Sequence, residues 1–116
     1  MKSQRAYVEH VLECIRRIRE DSAHGREAVF VSRTLQDAIL RNLQTLCEST
    51  QRLDERYKRE HGEISWQSIA GMRNILVHDY FAVDFESIWR IVERDLAPLE
   101  TTMQLILAGI IAIQQE

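Results

Sequence analysis

One short run gathers side chains able to do chemistry: Met72-Arg73-Asn74-Ile75-Leu76-Val77-His78-Asp79-Tyr80. His78 suits proton transfer, because an imidazole has a reference pKa of about 6.5. Arg73 is permanently charged and its planar fork of N–H groups matches two oxygens of an anion such as a phosphate. Asn74 can orient His78 or donate to an anion oxygen. Tyr80 contributes a hydroxyl, and Asp79 a carboxylate next to the histidine. The rest of the chain reads as scaffold.

That run must sit on a helix opening near Ser65, a candidate N-cap. With about 100° per residue, Trp66, Ile69, Met72, Leu76, Val77 and Tyr80 cluster on one side. Gln67, Gly71, Asn74 and His78 gather on the other, and Ile75 is an apolar exception. Arg73 is an anomaly, because it falls among the apolar residues. A guanidinium there must find a carboxylate, reach out of the face, or line a cleft. Arg73 and His78 are five residues apart, about 140° around an ideal helix. They converge only if the helix ends or bends near Val77, or if two copies of the chain meet. Asp79 lies about 100° from His78, so a direct triad is not expected. Asn74 and His78 share a face as i, i+4 neighbours.

The supporting elements follow from the 3.6-residue period. Val8, Val11, Leu12, Ile15 and Ile18 mark a first helix over about Ser3 to Asp21. Ser22 to Val31 breaks the pattern and reads as a loop tucked onto the core by Ala28, Val29 and Phe30. Leu35, Ala38, Ile39, Leu43, Leu46, Cys47, Thr50, Leu53 and Tyr57 predict one long second helix over Ser32 to His61. After the central helix, Asp84 caps a fourth, anchored by Phe85, Ile88, Trp89 and Val92. Pro98 belongs in the first turn of a fifth, or marks a kink. Leu99, Met103, Ile106 and Ile110 form its stripe. The expectation is an all-α, antiparallel, four- to five-helix up-and-down bundle forming one domain over residues 1–116.

Composition narrows the function classes. With 116 residues, 45% of them hydrophobic, and a formal net charge of −3, this is an ordinary globular composition and not a general basic coat for nucleic acid. Any RNA contact must come from a local patch. Cys14 and Cys47 lack metal or CxxC spacing and read as buried reduced thiols, which fits the cytoplasm. His10, His24, His61 and His78 show no HxH or HExxH spacing, so no metal site is expected. The longest apolar run, Leu105 to Ile113, has nine residues, short of a membrane span. Arg52, Arg56, Lys58 and Arg59 alternate with Asp54, Glu55 and Glu60 and read as a solvated face.

Arg73-Asn74-Ile75-Leu76-Val77-His78-Asp79-Tyr80 resembles the R-x4-H-x-Y motif of HepT-like HEPN proteins. Its context is similar too: Ile64, Ser65, Trp66, Ile69, Gly71 and Met72 before it, then Phe81, Val83, Asp84, Trp89, Asp95, Leu96, Pro98 and Leu99. One departure is Cys47-Glu48-Ser49, where many members carry Gly-Glu-Ala. The resemblance implies a HEPN-like homodimer acting as a metal-independent ribonuclease, without cofactor, as the toxin of a type VII-like toxin–antitoxin pair. It implies Arg73 and His78 as catalytic residues, with Asn74 and Asp79 in support. It also implies an MntA-like minimal nucleotidyltransferase as antitoxin, which transfers AMP to Tyr80. In that chemistry His78 moves the 2′-OH proton and Arg73 stabilises the phosphorane. Two other readings stay open: a non-catalytic RNA- or nucleotide-binding module, and a dimeric scaffold holding the nucleotidyltransferase.

Overall fold

A computed structural model describes residues 3–115. It is all-helical, as the periodicity predicts: α1 (Gln4–Ser22), α2 (Arg26–Phe30), α3 (Arg33–Gln51), α4 (Glu55–Glu60), α5 (Trp66–His78), a 3-10 turn (Tyr80–Ala82), α6 (Phe85–Arg94) and α7 (Leu96–Gln114). α1 lies at the centre. α3 and α7 pack on it, α5 packs on α3, and α6 packs on α7.

The stripe of α1 buries Val8, Val11, Cys14, Ile15 and Ile18, and Ser3 caps it by accepting the Ala6 N–H at 3.1 Å. The loop expected over Ser22 to Val31 instead contains α2. Gly25 turns the chain there with φ +94°, a conformation that costs a glycine little. Val29 is buried. The Phe30 ring meets Phe85 and Trp89 edge-on, with centroids at 5.3 and 5.9 Å. Arg26 lies over Phe30 and pairs with Glu86. The segment is therefore a clasp onto α6.

The single helix expected over Ser32 to His61 is two helices. Ser32 does cap α3, accepting the Leu35 N–H at 3.2 Å. The chain then breaks at residues 52–54. The Gln4 side-chain amide donates to the Arg52 carbonyl at 3.1 Å and accepts from the Asp54 N–H at 2.8 Å. One side chain of α1 thus satisfies two backbone groups that the break leaves open. Leu53 and Tyr57 stay buried across it.

Asp84 caps α6 through the Glu86 N–H at 3.1 Å. Only Asp95 separates α6 from α7, and Pro98 falls in the first turn of α7, where a missing N–H leaves no bond unmade. α7 buries Leu96, Leu99, Thr102, Met103 and Ile106. By length and composition alone it is apolar enough to cross a membrane, with 28% of its most apolar window buried. The expectation drawn from the nine-residue apolar run fails on that count, because scattered Thr and Gln residues interrupt the run without making the helix polar.

Candidate functional site

α5 is fastened at both ends and on one face. The Trp66 indole N–H donates to the His61 carbonyl at 3.0 Å. Ser65 makes no capping bond to the backbone, and its hydroxyl pairs with that of Ser68 at 2.7 Å. Trp66, Ile69 and Met72 pack half-buried on the core, and Leu76 is fully buried. Gln67, Gly71, Asn74 and His78 are all exposed, on the polar side that the helical period assigns them.

The helix ends at His78. Asp79 leaves helical geometry at φ −141°, ψ 45°, while its N–H still donates to the Ile75 carbonyl at 2.9 Å. The 3-10 turn follows, closed by the Ala82 N–H on the Asp79 carbonyl at 3.0 Å. Tyr80 therefore does not continue the apolar stripe of α5, because the helical rotation stops two residues before it. Its phenol instead crosses to α3 and donates to Asp37 Oδ1 at 3.1 Å. Partial burial pushes the Tyr80 pKa up, the hydrogen bond and charge of Asp37 add to this, and Arg33 opposes it.

Arg73 resolves as its anomalous position requires. It reaches a carboxylate, with Nη2 3.8 Å from Glu48 Oε2 on α3. Nη1 donates to Asn74 Oδ1 at 3.3 Å. The side chain is 29% exposed, and Nε is shielded with no hydrogen-bond partner. The guanidinium is thus held at its tip and lacks a full set of acceptors. Asn74 turns to Arg73, so the expected orienting bond from Asn74 to His78 does not form. His78 is exposed and makes no hydrogen bond or ion pair among the described residues, with Asp79 or with Arg73.

Two participants were missed by sequence reasoning. Glu48 stood out only as the retained middle residue of a segment whose small neighbours depart from a family pattern, and a carboxylate was one of three outcomes open to Arg73. Asp37 carried no signal, since its partner lies 43 residues away.

The surroundings of the motif are apolar and open. Ile75 is 50% exposed, Val77 37%, Tyr80 42%, and Phe81 fully so. A separate cavity of about 450 Å3 lies under the other end of α5, lined by Leu43, Cys47, Ile69, Met72 and Leu99 among others. It reaches none of Arg73, His78 and Tyr80. Among the described residues no three His, Cys, Asp or Glu side chains gather as a metal-binding group.

Known proteins are similar to this chain in sequence. A protein of Caldanaerobacter subterraneus subsp. tengcongensis, provisionally named as an RNase, is 32% identical over 92% of this chain and 96% of its own length. A Thermococcus cleftensis protein, provisionally named ribonuclease HepT, is 33% identical over 85% of this chain and 91% of its own. A Methanocaldococcus jannaschii protein, named as a gamma-glutamylcyclotransferase and provisionally as an RNase, is 33% identical over 85% of this chain but 45% of its own length. No solved structure matches significantly. The family described as ribonuclease HepT-like matches residues 11–106, and the chain belongs to that family.

Proposed function

We propose that this protein is a metal-independent endoribonuclease of the cytoplasm, built as a homodimer, with Arg73 and His78 as its catalytic residues. The observation that carries the reading is the end of α5. There Arg73, with its shielded and unpartnered Nε, and His78, without a hydrogen-bond partner among the described residues, share the C-terminal half of α5 with the exposed Ile75 and Val77. His78 takes the proton of the 2′-OH, which then attacks the adjacent phosphorus. Arg73 holds the oxygens of the pentacoordinate phosphorane by charge-assisted hydrogen bonds. A phosphate arriving at Arg73 competes with Glu48, whose contact at 3.8 Å is loose. Having taken that proton, His78 returns it as acid to the leaving 5′ oxygen. The apolar patch of Ile75, Val77 and Phe81 is the surface the second copy covers.

Within that reading the protein is the toxin of a type VII-like toxin–antitoxin pair. An MntA-like nucleotidyltransferase neutralises it by transferring AMP to Tyr80. The exposed phenol two residues beyond His78 supports this, since a phosphate ester there adds bulk and negative charge just past the end of α5.

A second reading has one observation in its favour. In a single chain Glu48 faces Arg73 and no hydrogen bond among the described residues orients His78, as would suit a non-catalytic RNA- or nucleotide-binding partner of the nucleotidyltransferase. RNA cleavage by purified protein separates the two. Wild type cleaves, and the R73A/H78A double variant does not while keeping its helical circular dichroism. Full activity in the double variant would sink the catalytic assignment.

A further inference from the structure

The Asp37 carboxylate has one use in this structure, which is to accept the hydrogen bond from Tyr80. It forms no ion pair and no other hydrogen bond among the described residues, although Arg33 lies one turn before it on α3. Asp37 is exposed and Tyr80 is partly exposed, so a reagent can approach the phenol oxygen from solvent while Asp37 holds its proton. The contact joins two elements, the second turn of α3 and the 3-10 turn after α5, so it persists only while that turn is docked.

We propose that Asp37 is the general base for nucleotidylation of Tyr80, and that Arg33 offers the charge that receives the incoming phosphate. The proposal rests on the adenylation reading above. In the step, Tyr80 Oη attacks the α-phosphorus of ATP. The Oη–P bond forms and the bond from that phosphorus to the bridging oxygen breaks, its electron pair leaving with pyrophosphate. The phenol proton passes to Asp37 Oδ1, the atom that already accepts it, and is later lost to water. A carboxylate taking the proton of a hydroxyl nucleophile during phosphoryl transfer is an established arrangement. Here the target protein supplies that carboxylate, and the transferase need only bring ATP and its metal. Once the ester forms, Tyr80 has no proton to donate. Two negative groups then face each other, so the tyrosine and its turn are driven off α3.

A simple tether between α3 and the turn would show the same hydrogen bond. Asn at position 37 separates the two roles, because its side-chain oxygen still accepts from the phenol but does not take the proton. The experiment combines the protein with a purified MntA-like minimal nucleotidyltransferase and ATP, and follows AMP increments by intact mass over time. D37N should lose at least about 10²-fold in the rate at saturating target, the lower end of what a general base contributes. Its KM should be unchanged, and D37E should recover part of the rate. D37N modified at the wild-type rate would overturn the base and leave the adenylation reading standing. A rise in KM alone would make Asp37 a docking contact and overturn the base too. A wild-type chain that gains no AMP would remove the adenylation reading and this inference with it.

Discussion

With the proposed dimer seated on the Phe81 patch, replacing Phe81 by Ser should leave each protomer folded and weaken self-association by orders of magnitude. Phe81 is fully exposed in the single chain, and its ring meets that of Tyr80 edge-on, with centroids at 6.1 Å. Removing it opens no cavity, so the protomer loses almost nothing. Burying an aromatic side chain of this kind is worth roughly 1.5–3 kcal/mol. A two-fold interface counts the residue twice, so the dimer loses about 3–6 kcal/mol by the same measure. At about 1.4 kcal/mol per factor of ten, the dimer dissociation constant rises by roughly 10²–10⁴. Sedimentation equilibrium over a concentration series reads that constant directly. Cleavage measured on the same samples should fall with the dimer fraction and return at high concentration. An unchanged dissociation constant would refute the placement of the dimer seam on this patch. A change in the far-ultraviolet circular dichroism of the dilute protein would refute the claim that Phe81 does no work within the protomer.

Two further outcomes follow from the core. Leu76 is the one fully buried residue of α5, and L76A should cost about 2–5 kcal/mol, which lowers the thermal midpoint by roughly 8–20 °C in differential scanning calorimetry; a shift within error would mean α5 is held by its ends alone. Burial pushes the Cys47 thiol up to about 12, with the Glu48 charge adding. Between the ordinary thiol range and that value the folded chain keeps a proton that the unfolded chain has lost, so stability falls as pH rises across the window. The urea midpoint should drop more between pH 8 and pH 10 in wild type than in C47A, and equal slopes would contradict the cause assigned to the shift.

Much of the bundle was legible because burial repeats with the helical period. Val8, Val11, Ile15 and Ile18 are buried where the spacing put them, and Asp84 caps where it was expected to. The break after Gln51 was not legible, for a physical reason. Leu46, Thr50, Leu53 and Tyr57 keep helical spacing through it, and the bonds that stabilise it come from Gln4, some fifty positions earlier. The same holds at the site. The misfit of Arg73 on an apolar face left three outcomes open, a carboxylate, escape from the face or a cleft, and Glu48 supplies the first. Tyr80 was placed on the stripe of α5 by extrapolating a rotation that Asp79 ends. Nor does period distinguish core from surface: Leu76 and Phe81 are both apolar, yet one is buried and the other bare.

The angular gap between Arg73 and His78 gives the dimer a sharper test than its dissociation constant. The two side chains start about 140° apart on one helix, and the helix ends at His78, too late to bend one toward the other. Arg73 is turned to α3 by Glu48, while His78 projects outward. If each site takes Arg73 from one protomer and His78 from its partner, loss of either residue in both copies destroys both sites. A mixed dimer of one R73A protomer and one H78A protomer is different. One of its two sites then lacks both residues, and the other keeps an intact Arg73 from the H78A chain and an intact His78 from the R73A chain. Mixing two inactive proteins and letting subunits exchange should therefore restore cleavage, up to half the wild-type rate per mixed dimer. If Arg73 and His78 of the same chain work together, every site in the mixture lacks one residue and nothing returns. Silence after verified exchange would show that a single chain closes the gap by itself, and the second copy would then serve only to cover the patch.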